Sequence, residues 1–183
     1  MARQVFLFER PVRFVAGTVG QPGDRTFYLQ AADEAGRVVS VALEKSQVQV
    51  LAERMSELLD EIATRATTVV PPDADVDDLA PLTAPVEEEF RVAAMGLAWD
   101  GDAQAVVVEA VAGGDEPIDE DAILSDADDG PDALRVTITP AAARSFVARA
   151  RRVISAGRPA CPLCSLPLDP AGHVCPRQNG YRR

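Results

Sequence analysis

All three cysteines and the only histidine of this 183-residue chain fall within one short window near its C-terminus, Cys161-Pro162-Leu163-Cys164 followed by His173-Val174-Cys175. Thiolates and imidazole are the donors that zinc prefers in tetrahedral sites, and a closed set of four protein donors is structural rather than catalytic. The Cys-x-x-Cys half places two sulfurs on one tight turn, stiffened by Pro162. The second half returns after a stretch holding Pro167, Pro170 and Gly172, residues suited to a chain reversing direction. Residues 158–183 carry too few apolar side chains to bury a core of their own, whereas a structural zinc ion supplies roughly 10–16 kcal/mol of folding free energy to small units of this kind. The expected metal ligands are therefore Cys161, Cys164, His173 and Cys175, with Asp169 the nearest substitute for the histidine.

Three other chemistries compete for these residues. A redox Cys-x-x-Cys sits at a helix N-terminus in a βαβ setting, but this one follows a helix and lies in proline-rich loop. A deaminase-type catalytic zinc needs His-x-Glu ahead of Pro-Cys-x-x-Cys; here the order is reversed and the residue two beyond His173 is Cys175. Unmetallated thiols are the third. An odd number of cysteines argues against a secreted disulfide scaffold.

The other candidate contacts are cationic. Arg144, Arg149, Arg151 and Arg152 on a predicted helix, Arg158 beyond it, and Arg177, Arg182 and Arg183 in the tail form a basic C-terminal third that could meet phosphates. The plainer expectation is that these arginines coat the solvent side of the helix and complement its C-terminal dipole. Residues 73–132 contrast sharply, with nineteen acids and only Arg91, so the net charge of −11 averages an acidic middle and a basic end. Asp78 and its neighbours could lie against the arginine helix as a weak latch, since exposed ion pairs contribute only about 0–1 kcal/mol each.

The elements that must position these groups can be read from periodicity. Alternating apolar residues predict strands near 4–9, 13–19, 26–32 and 38–44, the last two joined in a hairpin around Asp33–Gly36. Ser46 and Gln49 have the form of a capping box. Val48, Leu51, Met55, Leu58, Leu59 and Ile62 then recur at helical spacing over 46–65. Residues 90–99 and 103–111 flank Asp100-Gly101, a two-residue hairpin signal. ALRVTIT reads as a further strand. Thr139 then caps a helix opened by Pro140, with Ala143, Phe146, Val147, Ala150, Val153 and Ile154 as its apolar stripe and Gly157 as a left-handed stop.

The fold class is thus α+β: antiparallel sheet or sheets with two amphipathic helices, readable as a duplicated β-β-β-α unit, plus a small C-terminal zinc knuckle. The units are 1–66, an acidic proline-rich linker or loop at 67–88, a second unit at 89–157 with an acidic loop at 113–132, and the tail at 158–183. At 47% hydrophobic the chain can bury a real core. It lacks an N-terminal secretory pattern or an apolar run of membrane-spanning length, which predicts a cytoplasmic protein. A single lysine among eighteen basic residues suggests a GC-rich source.

The tail CPLCSLPLDPAGHVCPRQNGYRR resembles the C-terminal motif of an uncharacterised actinobacterial family, a domain of unknown function with a zinc-ribbon-like end. The segment FERPVRFVAGTVGQPGDRTFYLQA resembles the start of the same family. The resemblance implies a metal-binding tail on an α+β body and carries no established activity. Ser165 departs from common ribbons, where glycine often follows the knuckle.

No nucleophile elbow, phosphate loop or dinucleotide fingerprint occurs, so no residue is assigned a catalytic role. Glu87-Glu88-Glu89 and Asp119-Glu120-Asp121 are the nearest candidates for an acidic Mg²⁺ site. The expected function is a binding or adaptor protein acting through a protein partner. The alternatives are a nucleic-acid-binding protein using the arginine-rich end, and a hydrolase or transferase whose site is not recognisable.

Overall fold

The computed structural model describes residues 3–65, 69–72, 78–114, 123–125, 129–157, 160–166, 168 and 173–177. Among these residues seven strands and two helices follow in the order β1 (Val5–Glu9), β2 (Arg13–Gln21), β3 (Asp24–Ala32), β4 (Val38–Leu43), α1 (Lys45–Arg65), β5 (Glu88–Asp100), β6 (Ala105–Ala112), β7 (Ala133–Ile138) and α2 (Pro140–Ser155). They build one sheet in the order β1-β7-β6-β5-β4-β3-β2. Two antiparallel meanders, β2-β3-β4 and β5-β6-β7, share the same strand order, and each runs into a helix. They are joined by parallel pairing of β4 with β5, and β1 adds in parallel to β7. The sheet is therefore mixed, not purely antiparallel. Period-two alternation fixes which side chains share a face but not strand direction, and both parallel pairings join segments far apart in sequence.

The sheet must curl. Strands β1 and β2 lie at opposite ends of the sheet order, yet only Arg10–Val12 separate them in sequence. Seven strands at about 4.8 Å spacing would put the outer ones nearly 30 Å apart if flat. That short connection reaches about 14 Å. Contacts across the opening agree: Arg37, in the β3–β4 turn, donates from Nη2 to the Leu7 carbonyl at 2.5 Å and sets its guanidinium 4.1 Å above the Phe8 ring.

One core serves both meanders. Phe8, Phe14, Phe27, Leu29, Val41, Val106, Leu134 and Val136 meet Val48, Met55 and Leu59 of α1 and Ala143, Phe146 and Ala150 of α2 in a single apolar cluster. Phe14 stacks on Phe146 with ring centroids 4.8 Å apart, an arrangement worth about 0.5–1.5 kcal/mol beyond its area. The sheet's other face is covered by loops. Leu82 sits over Gly17, where an added Cβ would lie 2.6 Å from its side chain. Buried Gln30 bonds Ser40 Oγ and both the amide and carbonyl of Thr83. Leu124 covers Gly96 and donates its amide to Glu109, which is fully buried and also accepts from Arg3 at 2.9 Å and Arg135 at 2.5 Å.

Three local expectations are corrected. Helix α1 starts at Lys45, one residue before the expected 46, and its reciprocal cap runs from the Glu44 amide to Gln47 Oε1 rather than through Ser46. The Asp100-Gly101 turn spans four residues. Asp100 Oδ1 accepts from the amides of Asp102 and Ala103, and Gln104 rather than glycine takes the positive φ, so side-chain capping replaces the glycine turn. Helix α2 has the expected Thr139 cap and Pro140 start, but it stops at Ser155 with Ala156 as its cap at φ −70° and ψ 28°, in place of the left-handed stop expected at Gly157.

Candidate metal centre

The tail forms a local knuckle. The Ser165 amide bonds back to the Cys161 carbonyl and the Cys161 amide to the Leu166 carbonyl, both at 2.8 Å. This wraps Pro162–Cys164 into a turn and aims both cysteines inward. Ser165 sits at φ 61°, the left-handed region where glycine costs least. The departure noted in the sequence therefore falls on the one residue of the knuckle whose backbone favours glycine.

Cys161, Cys164, His173 and Cys175 converge, with their donor atoms all within 4.8 Å of one another. Cys161 Sγ lies 3.9 Å from Cys175 Sγ, and Cys164 Sγ lies 3.1 Å from His173 Nε2. Tetrahedral geometry on metal–sulfur bonds of about 2.3 Å sets a sulfur–sulfur edge of about 3.8 Å. The Cys161–Cys175 spacing matches that edge and no pair of donors is more than 4.8 Å apart, so the four side chains could hold a metal ion. Cys161 and Cys175 are buried; Cys164 and His173 are half-buried.

The electrostatics favour charge on one sulfur. The backbone amides of Cys164 and Leu163 point at Cys161 and lower its pKa to about 6, as fixed N–H donors do for a thiolate. Desolvation raises that of Cys164. Asp169, the substitute fourth donor, lies outside the described residues.

The arginines divide. Arg144 is buried, not solvent-facing: it pairs with Asp60 at 2.6 Å and donates from Nε to the Pro71 carbonyl. Arg149 is buried too and donates to the carbonyls of Ala16, Asp78 and Ala80 and to Asp78 Oδ1. The expected coat is corrected here: the helix turns these two cations into the body because they tie acidic and loop segments to it. Arg151 bonds Ser56 Oγ and, like Arg152 and Arg177, is exposed. Arg158, Arg182 and Arg183 lie outside the described residues.

The Asp78 contacts form a clamp that sequence reading only sketched as a latch. Arg13 grips Asp78 through Nε and Nη2 at 2.5 and 3.1 Å and reaches the Ala80 carbonyl, opposite Arg149. The Arg13 hydrogen bond holds the Asp78 carboxyl below its ordinary pKa, and burial lowers that of Arg149. The clamp covers the outer edge of β2 and shields the Ala16 carbonyl from strand addition. The Arg3–Glu109–Arg135 network gave one faint signal in the sequence, a lone acid within the apolar strand AVVVEAVA. Glu87, just before β5, and Glu88 and Glu89, its first two residues, are exposed, and Asp119-Glu120-Asp121 lies outside the described residues.

A curled mixed sheet with two helices, extended by a Cys₃His cluster able to hold a metal ion, defines the class of protein: an α+β body with a metal-competent tail. The chain belongs to the family described as Protein of unknown function (DUF3090), matched over residues 6–175, a span that includes all four donors. Comparison with curated proteins and with solved structures finds no match. No helix among the described residues is long and apolar enough to cross a membrane.

Proposed function

We propose that Cys161, Cys164, His173 and Cys175 hold a structural zinc ion, and that the protein is a cytoplasmic binding or adaptor protein whose zinc-ordered, ribbon-like tail presents a surface to a protein partner. The observation that carries the reading is the convergence of four soft donors at near-tetrahedral spacing. Three thiolates with one imidazole select zinc over the hard divalent cations. Four protein donors leave no open position for water, which makes the ion structural. Leu163, Leu166 and Val174 around the knuckle are 48%, 49% and 80% exposed. A metal that orders the turn would present these apolar side chains together, which suits a protein surface better than a phosphate backbone. The nucleic-acid alternative retains Arg151, Arg152 and Arg177 among the described residues, since Arg144 is engaged by Asp60.

The test uses the full chain as bait in its source cells, beside a Leu163→Asp/Leu166→Asp variant. The expected result is a defined protein companion, in near-stoichiometric amount, that the variant loses. Equal retention by both chains, or nucleic acid as the sole companion, would overturn the adaptor reading.

A further inference from the structure

Among the described residues, the cavity at the C-terminal end of α2 pairs two cations without an acid. It has a volume of about 540 Å³, and its walls include Arg25, Phe27, Lys45, Ile154 and Gly157, within the size range of small-molecule sites. A methyl group placed on Gly157 would lie 3.7 Å from Arg25 Nη2 and 3.8 Å from Lys45 Nζ, so the two nitrogens are at most about 7.5 Å apart. No carboxylate among the described residues pairs with either, although the chain carries 29 acids to 18 basic residues. The nearest acid in sequence to Lys45 is Glu44, which faces Arg91 instead.

Structure explains Arg25 and Lys45 only in part, since both side-chain nitrogens lie beside the C-terminal end of α2, where a cation is favourable. Arg25 Nη1 donates to the Ala156 carbonyl at 3.1 Å, closing the end of α2, and its guanidinium lies 5.0 Å from the Phe27 ring. Its Nη2 is left toward the cavity. Lys45, the chain's only lysine, is the first residue of α1, whose first turn has no acid. A cation there opposes the helix dipole. No carboxylate among the described residues offsets the two like charges brought together here.

From this geometry we infer that the cavity is an anion site for a phosphoryl group carried on a small molecule. Arg25 and Lys45 grip different oxygens of one oxyanion, and the body of the ligand lies along Phe27 and Ile154. Charge-assisted hydrogen bonds of about 2.7–2.9 Å from both cations to one tetrahedral oxyanion fit the nitrogen separation. The bound anion would also offset the unfavourable charge at the start of α1. The site is built by the body of the protein, and its occupancy does not rest on the metal reading of the tail.

The experiment titrates the intact, metal-replete chain with inorganic phosphate and pyrophosphate, reading amide shifts at Ser155 and Gly157 and the heat of binding. Saturable binding at millimolar concentration or below is expected, weakening as sodium chloride rises. Lys45→Gln, an exposed change that preserves the fold, should weaken it about tenfold, the loss of one charge-assisted bond. Arg25→Lys keeps a charge but loses the fork and should also weaken binding, whereas Arg54→Gln on the exposed flank of α1 should bind as wild type. Shifts that fail to saturate at 10 mM of either probe would overturn the assignment, as would equal binding by Lys45→Gln and wild type.

Discussion

Replacing Glu109 by glutamine should unsettle the whole sheet. Its side chain is 0% exposed, its partner Arg3 is 2% and Arg135 is 16% exposed, and the carboxylate accepts from both guanidiniums and from the Leu124 amide. The substitution keeps the shape and one acceptor oxygen but removes the carboxylate charge that faces both guanidiniums. Removing one partner of a buried ion pair costs about 3–5 kcal/mol, most of it from the charge left behind. The same change at an exposed pair costs at most about 1 kcal/mol. A domain of this size has about 5–15 kcal/mol of stability in total, so the variant should remain folded in buffer but with a reduced margin. At about 2–4 °C per kcal/mol, the midpoint should fall by roughly 6–20 °C. Trp99, the only tryptophan, packs at the core's margin and reports urea unfolding by fluorescence. A loss below about 1 kcal/mol, with the denaturant slope unchanged, would refute the view that this network is buried and mutually dependent.

Other predictions follow from particular contacts. Asp78 is held ionised chiefly by its hydrogen bond from Arg13, so its folded pKa lies below its unfolded value. Its contribution is present above the unfolded pKa, near 3.9, and is lost as pH falls through the lower folded value. Because its side chain is 37% exposed, Asp78→Asn should cost only about 1 kcal/mol near neutrality, and the acid limb of the stability curve should flatten; an unchanged limb counts against the clamp. Ser165→Gly should relieve left-handed strain worth about 1 kcal/mol and slow hydrogen exchange in the knuckle. Faster exchange would mean that the Ser165 side chain, not its backbone, matters there.

Much of the body was legible because its signals are local. Apolar alternation and turn residues place the strands of both meanders, and the stripe from Ala143 to Ile154 with Thr139 and Pro140 places α2 almost to the residue. What stayed hidden depends on distant pairing. Nothing in the pattern of β1 says that it will lie beside β7, or that β4 and β5 will run parallel. Arg144 and Arg149 read as solvated because a wheel weighs charge, not the Asp60 and Asp78 that await them across the fold. Glu109 hid in an apolar strand for the same reason. The candidate metal cluster was legible because three cysteines and one histidine in so short a window leave few other arrangements. Its knuckle hydrogen bonds, and the cation pair of Arg25 and Lys45, needed the structure.

The metal can be counted directly. Protein purified from its source without chelators, with zinc measured by mass spectrometry against amino-acid analysis, should carry one zinc per chain, and Cys161→Ser should carry almost none. A wild-type chain with no stoichiometric zinc, or a variant that retains it, would contradict the account.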